Sequence, residues 1–277
     1  MKRFEGIVIA TDLDGTFFDS KGRTVERNLS AVKYFTANGG RFTIATGRLP
    51  SHVVSGFADV AEYVNMPLVT CNGSYIYDLR ANSACSVYPI PYDRVKEIVE
   101  LVESQYPMAG LIASSVECGL LCTPFSFENE RIKRDFEWYS TVSRIVADVD
   151  DWRDQSVLKL VVRVDADTVS EMLVKFSQQY GDVFSITQSS ATYLEIQARG
   201  RNKGVALKEL VSSMGDGMKL YTCGDYINDL EMHRAADVSV CPSNAHPRVI
   251  EECDLCLRTN DDGLIADLVD YIERKMQ

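Results

Sequence analysis

The sequence predicts an α/β protein: a doubly wound parallel sheet into which a separate α+β segment is inserted. Three observations carry that prediction. An apolar run near the N-terminus ends abruptly in two carboxylates, a strand–helix alternation stops near residue 82 and resumes near residue 198, and the stretch between mixes strands and helices differently. The run is Ile7-Val8-Ile9-Ala10-Thr11, and it leads into Asp12-Leu13-Asp14-Gly15-Thr16. Consecutive apolar residues suit a central parallel strand covered on both faces, and Gly15 marks a turn. In an open α/β sheet, ligands bind at the carboxyl ends of such strands. Taken alone, the acidic pair reads equally as a turn or cap signal and as a catalytic pair. Side chains alternate along a strand, so Asp12 and Asp14 would share a side if the strand continued, and the turn is free to re-aim the second.

The elements then follow in order. Leu29, Val32 and Phe35 recur three apart within Val25–Asn38, which predicts a helix closed by Gly39-Gly40. Arg41–Ala45 reads as a strand ending in Thr46-Gly47-Arg48, with a helix from Pro50 toward Ala61. Right-handed crossovers keep parallel strands pointing the same way, so Asp12, Asp14 and Thr46 are expected at one sheet edge. Pro67–Cys71 is the next strand, and Asn72-Gly73 turns it into a hairpin arm at Tyr75–Asp78. From Ser83 to Gln197 come strands at Gly119–Cys122, Val157–Val164 and Tyr193–Ile196, with helices at Asp93–Ser104 and Asp167–Gln178. Strands in succession with occasional helices are the mark of an α+β unit. The parallel pattern resumes with a helix from Arg199 to Met214, a strand at Met218–Cys223 ending in Gly224-Asp225-Tyr226-Ile227-Asn228-Asp229, and a last alternation ending in the helix Gly263–Lys275.

Composition narrows the partners. The net charge of −11 leaves no basic surface for a polyanion, so nucleic acid is not expected, whereas a small anion can still be held by a few placed cations and helix N-termini. No stretch of eighteen apolar residues occurs, so no membrane span is expected. The N-terminal residues run into the first strand without an apolar leader, which predicts a cytoplasmic location. The eight cysteines are scattered, several within apolar runs, and read as reduced thiols. Cys253 and Cys256 have C-x-x-C spacing, but a structural zinc site needs a second ligand pair.

The polar strand tips and one helix start supply Asp12, Asp14, Thr46, Lys203, Asp225, Asn228 and Asp229. Their order, in D-L-D-G-T at 12–16, A-T-G-R at 45–48, N-G at 72–73, L-E-I with R-x-K-G at 194–204 and G-D-x-x-N-D at 224–229, resembles the haloacid dehalogenase superfamily. Within it, the chain is similar to the Cof-type phosphatases of subfamily IIB, which carry a large α/β cap. The resemblance implies a Rossmann-like catalytic core at residues 1–82 and 198–277 and a specificity-determining cap at 83–197. The chain departs from the family's usual Met-Gly before Asn-Ala, having Cys241-Pro242-Ser243-Asn244-Ala245 there.

The resemblance also implies roles. Asp12 would attack the phosphoryl group and carry it as an aspartyl-phosphate, and Asp14 would act as general acid and then base. Mg²⁺ is the implied cofactor, ligated by Asp12, by Asp14 through its backbone carbonyl, and by Asp225, with Asp229 orienting from outside. Thr46, Gly47 and Asn228 would hold phosphoryl oxygens, and Lys203 would balance charge. The implied partner is a small phosphorylated metabolite, with a sugar phosphate expected. A phosphomutase and a non-catalytic phosphate-binding regulator are the alternatives. A dehalogenase is disfavoured, because its nucleophile attacks carbon and needs neither Asp14 as an acid nor a metal.

Overall fold

The computed structural model describes residues 2–139 and 142–276. The chain divides into two compact units, Met1–Cys85 with Asn202–Gln277, and Ser86–Arg201. In chain order the first unit begins with β1 (Ile7–Thr11), α1 (Glu26–Ala37), β2 (Arg41–Ile44), α2 (Pro50–Gly56), α3 (Ala58–Ala61), β3 (Leu68–Thr70) and β4 (Tyr75–Asp78), and β5 (Ser83–Val87) leads out of it. The second unit holds α4 (Tyr92–Gln105), β6 (Gly110–Ser115), β7 (Gly119–Cys122), α5 (Pro124–Phe127), α6 (Glu130–Trp138), β8 (Arg144–Val146), β9 (Val157–Arg163), α7 (Ala166–Tyr180), β10 (Phe184–Ser190) and β11 (Tyr193–Ala198). The first unit is completed by α8 (Lys203–Ser212), β12 (Lys219–Cys223), α9 (Leu230–Ala235), β13 (Val238–Pro242), α10 (Pro247–Glu252), β14 (Leu255–Leu257) and α11 (Leu264–Lys275).

In the first unit five parallel strands lie in the order β14-β13-β12-β1-β2. Alternation along β1 explains the helices on both faces. Ile7 and Ile9 join a core with Val32 and Phe35 of α1 and Leu264 and Leu268 of α11, while Val8 and Ala10 join one with Ala206 and Leu207 of α8 and Met232 of α9. The chain moves from β1 to β2 in one direction and, after the insert, from β12 to β14 in the other. The strand order therefore reverses between β1 and β12, which is where ligand crevices form in doubly wound sheets.

Several expected elements differ in extent. The third strand joins β2 by a single Ala45–Val69 bridge and otherwise belongs to the three-stranded sheet β3-β4-β5, in which it runs antiparallel to β4. The helix expected from Pro50 to Ala61 breaks at Phe57, whose ring stacks on Phe18 at 4.3 Å instead of following the helix. The helix expected from Arg199 starts only at Lys203, because the Asn202 side chain accepts the Val205 N–H at 2.8 Å and caps it there. All eight cysteines are free thiols, with Cys241 and Cys256 opposite each other on β13 and β14.

The second unit is a six-stranded sheet, β10-β11-β9-β6-β7-β8, antiparallel except where β7 meets β8. Leu160, Val162, Leu194 and Ile196 face α4 and α7 across its apolar side, against Ile98, Val102, Met172 and Phe176. No described helix is long and apolar enough to cross a membrane.

One close approach sets the position of α8. A Cβ at Gly204 would lie 2.0 Å from the Glu231 carbonyl oxygen on α9, so only glycine allows these helices to meet as they do. Gly204→Ala is expected to destabilise the fold by about 1–3 kcal/mol through this overlap, read by urea or thermal unfolding. Unchanged stability would show that the helices part without cost.

Candidate active site

Three strand ends are stitched together by their backbones. The Asp12 N–H donates to the Cys223 carbonyl at 2.8 Å, and the Ala45 N–H donates to the Thr11 carbonyl at 2.8 Å. Asp12 and Gly224-Asp225 therefore follow directly on β1 and β12, and Thr46 follows β2 after Ala45, at one edge of the sheet. The first strand stops at Thr11, so neither aspartate belongs to it. Gly15, at φ +76°, turns the chain, and the two carboxylates part: Asp12 faces Lys203 and Asp14 faces Arg48. The same glycine admits Asp225, because a Cβ there would lie 2.4 Å from Asp225 Oδ2. The Thr16 hydroxyl donates to Asp225 Oδ1 at 2.9 Å, tying the first loop to the one after β12.

Lys203 is fully buried at the first position of α8. Its Nζ donates to Asp12 Oδ1 and to Asp229 Oδ1, both at 2.7 Å. A solvated helix-start lysine would show none of this. Asp229 is also buried, and its Oδ2 accepts the N–H groups of Asp225 and Tyr226 at 3.0 and 3.1 Å. It thus holds the lysine on one oxygen and shapes the loop carrying Asp225 with the other. The loop after β13 supports the same point, since the His246 N–H donates to the Asp225 carbonyl at 2.8 Å. Pro242 is the last residue of β13, and its carbonyl accepts the Ala245 N–H at 3.0 Å.

Asp12, Asp225 and Asp229 each offer a carboxylate oxygen, and these oxygens lie within 4.8 Å of one another. One ammonium faces three carboxylates. Burial pushes the Asp12 carboxyl well above its usual range, with Lys203 pulling it down and Asp229, Asp14 and Asp225 pushing it further up. Burial and the charge of Asp229 push Asp225 up to about 7. For Lys203, burial opposes the charged form, but the carboxylates of Asp12 and Asp229 outweigh it and the ammonium titrates above its usual range. Hard oxygen donors gathered with too little positive charge fit a hard divalent cation such as Mg²⁺.

The remaining expected residues lie around this cluster. Thr46 is buried between β2 and α2; Leu49 rather than Thr46 caps α2, so the capping alternative for Thr46 falls away. Its hydroxyl oxygen accepts the Arg48 N–H at 3.2 Å, with Gly47 between them. Asn228 lies in the turn after Asp225 and its side-chain N–H reaches Asn72 Oδ1 at 3.5 Å. Thr16, Arg48 and the Asn72 side chain, for which no role was expected, all lie inside the D-L-D-G-T, A-T-G-R and N-G motifs.

A family model of haloacid dehalogenase-like hydrolases matches residues 9–269. The chain belongs to the haloacid dehalogenase-like hydrolase family. This hydrolase is 25% identical over 269 residues to the 5-amino-6-(5-phospho-D-ribitylamino)uracil phosphatase YitU of Bacillus subtilis, covering 95% of this chain and 97% of that protein. It is 23% identical over 280 residues to the pyridoxal phosphate phosphatase YbhA of Escherichia coli, covering 95% and 97%. Among solved structures, it superposes with a TM-score of 0.80 on BT4131, described as a HAD subclass IIB sugar phosphatase, at 20% identity and covering 96% and 98% of the two chains. That likeness shows the same mixed fold of a parallel core and an inserted antiparallel sheet.

The raised Asp225 carboxyl gives a pH signature in this hydrolase. Without divalent cation, the folded chain keeps a proton that the unfolded chain releases near pH 4. This stabilising contribution is complete below about pH 4 and is lost as pH rises through about 7. Asp225→Asn is therefore expected to gain stability relative to wild type between pH 5 and pH 8 in the presence of a chelator. Thermal melts of both proteins measure the gap, and a gap that does not change with pH would contradict the assignment.

Proposed function

We propose that this hydrolase is a Mg²⁺-dependent phosphomonoesterase for small phosphorylated metabolites, sugar phosphates above all, working through an aspartyl-phosphate on Asp12. The observation that carries the reading is the buried cluster of Asp12, Lys203 and Asp229 beside Asp225, with a second carboxylate, Asp14, turned away toward solvent. Two carboxylates in different surroundings suit two tasks. Asp12, paired with an ammonium, is the nucleophile; Asp14, outside the cluster, is the group able to bring a proton to the departing alcohol and then to take one from water.

Asp12, Asp225 and the backbone carbonyl of Asp14 would hold the cation, and Asp229 would orient the shell from outside. When bound, the cation supplies positive charge to the phosphoryl oxygens and to the crowded carboxylates. Lys203 neutralises part of the charge shared by Asp12 and the transferring group. Thr46, the Gly47 amide and Asn228 would orient the phosphoryl oxygens. The inserted unit, expected at 83–197 and compact over Ser86–Arg201, is read as a cap that sets substrate choice. YitU's named substrate carries its phosphate on a ribityl chain and YbhA's is pyridoxal phosphate, which supports small phosphate esters as the class and leaves the organic part to the cap. A cytoplasmic location agrees with such substrates.

Asp12→Asn is expected to reduce release of phosphate from p-nitrophenyl phosphate to background. A chelator should do the same to wild type, with Mg²⁺ restoring it. Asp14→Asn should lower turnover of an alkyl phosphate by about 10²–10⁴-fold while still binding it. Near-normal Mg²⁺-dependent turnover by Asp12→Asn would remove the nucleophile assignment, and transfer of phosphate to a sugar without release would identify a mutase.

A further inference from the structure

Arg48 has no part in the reading above. Its guanidinium lies side-on against Asp14, with Nε–H donating to Oδ2 at 2.8 Å and Nη2–H donating to Oδ1 at 2.7 Å. The Arg48 side chain is 9% exposed and that of Asp14 is 55% exposed. The arginine is thus the fixed member of the pair, and the acid is the one that reaches solvent.

What fixes the arginine is spread over three segments. Its N–H donates to the Thr46 hydroxyl oxygen at 3.2 Å, and its carbonyl accepts the Cys71 N–H at 3.0 Å, which pins its backbone between the tip of β2 and the turn after β3. Nη1 lies 3.1 and 3.0 Å from the two ring nitrogens of His52 on α2. The guanidinium carbon lies 4.9 Å from the centre of the Phe57 ring, at the point where the expected long helix breaks. Burial, with the Arg48 charge adding to it, lowers the His52 pKa to about 4. The imidazole is therefore neutral at physiological pH and brings no positive charge that would compete for Asp14.

We propose that Arg48 is a positioning residue for proton transfer: its planar fork fixes the direction of the exposed Asp14 carboxyl toward the leaving-group oxygen. This rests on the reading of Asp14 as the general acid and adds the residue that aims it. In the step concerned, an Asp12 carboxylate oxygen forms a bond to phosphorus. The bond from phosphorus to the leaving oxygen breaks with its electron pair on that oxygen, and the oxygen takes the proton from Asp14. The product of the transfer is the Asp14 carboxylate, the form a guanidinium fork grips on both oxygens. An exposed aspartate without that grip samples several rotamers, and a donor out of hydrogen-bond reach contributes little.

The test exploits leaving groups. p-Nitrophenolate departs without a proton, whereas the alkoxide of glycerol phosphate needs one. kcat/KM includes only the steps through departure of the leaving group, so later hydrolysis of the phosphoenzyme does not enter it. Arg48→Gln is expected to lose at least about tenfold more kcat/KM on glycerol phosphate than on p-nitrophenyl phosphate, in the same direction as Asp14→Asn. Arg48→Lys keeps the charge but not the fork, and is expected to show the same selective loss; it also serves if the glutamine variant fails to fold. Equal losses on both substrates, or full rescue by lysine, would overturn the positioning role while leaving the phosphatase reading intact. An Asp14→Asn variant with no dependence on leaving group would overturn both the positioning role and the reading of Asp14 as the general acid.

Discussion

A single ammonium, Lys203 Nζ, buried between Asp12 and Asp229, is the interaction on which the rest depends. It joins the helix that restarts the first unit and the turn after β12, both reached only after the insert, to the tip of the first strand, which precedes it. Removing one partner of a buried ion pair costs about 3–5 kcal/mol because the other charge is left unpaired. Here the pair is also incomplete by design of the sequence, since Asp225 adds a third carboxylate without adding a cation. The raised carboxyls of Asp12 and Asp225 are the physical expression of that deficit, and a divalent cation is the simplest species that removes it.

The sheet topology explains why the deficit sits where it does. The order reverses between β1 and β12, the place where doubly wound sheets bind ligands, and the loops after these two strands carry Asp12, Asp14 and Asp225 and are tied to each other by Thr16 and Asp225. Gly15 lets the first loop turn sharply enough for Asp225 to approach it, and Gly204 lets α8 approach α9 closely at the helix start from which Lys203 reaches Asp12 and Asp229. The glycines of D-G-T and K-G are thus as much a part of the site as the charged residues beside them.

Much of this is legible in the sequence because β1 is a mostly apolar run that stops at Asp12, while β12, Lys-Leu-Tyr-Thr-Cys, leads through Gly224 into the acidic turn at Asp225–Asp229. Spacing and order then separate Asp12, Lys203, Asp225 and Asp229 from the turn and cap readings that each residue supports alone. The insert is harder to read. β10, Phe-Ser-Ile-Thr-Gln-Ser-Ser, has only two large apolar residues, and β6 begins at a glycine and ends in two serines, so neither stands out from a loop. The helix break at Phe57 is invisible locally, since it depends on a ring contact with Phe18 from a distant segment. The fork between Arg48 and Asp14 spans 34 positions and leaves no periodicity to detect.

The most direct measurement is the site of covalent phosphorylation. Protein quenched in acid during turnover of p-nitrophenyl phosphate, then digested and mapped by mass spectrometry, should carry a phosphoryl group on the peptide containing Asp12. That group should be lost on treatment with hydroxylamine, as an acyl phosphate is. A stable phosphoryl group on any other side chain, formed at the rate of turnover, would contradict the nucleophile and the arrangement of carboxylates built around it.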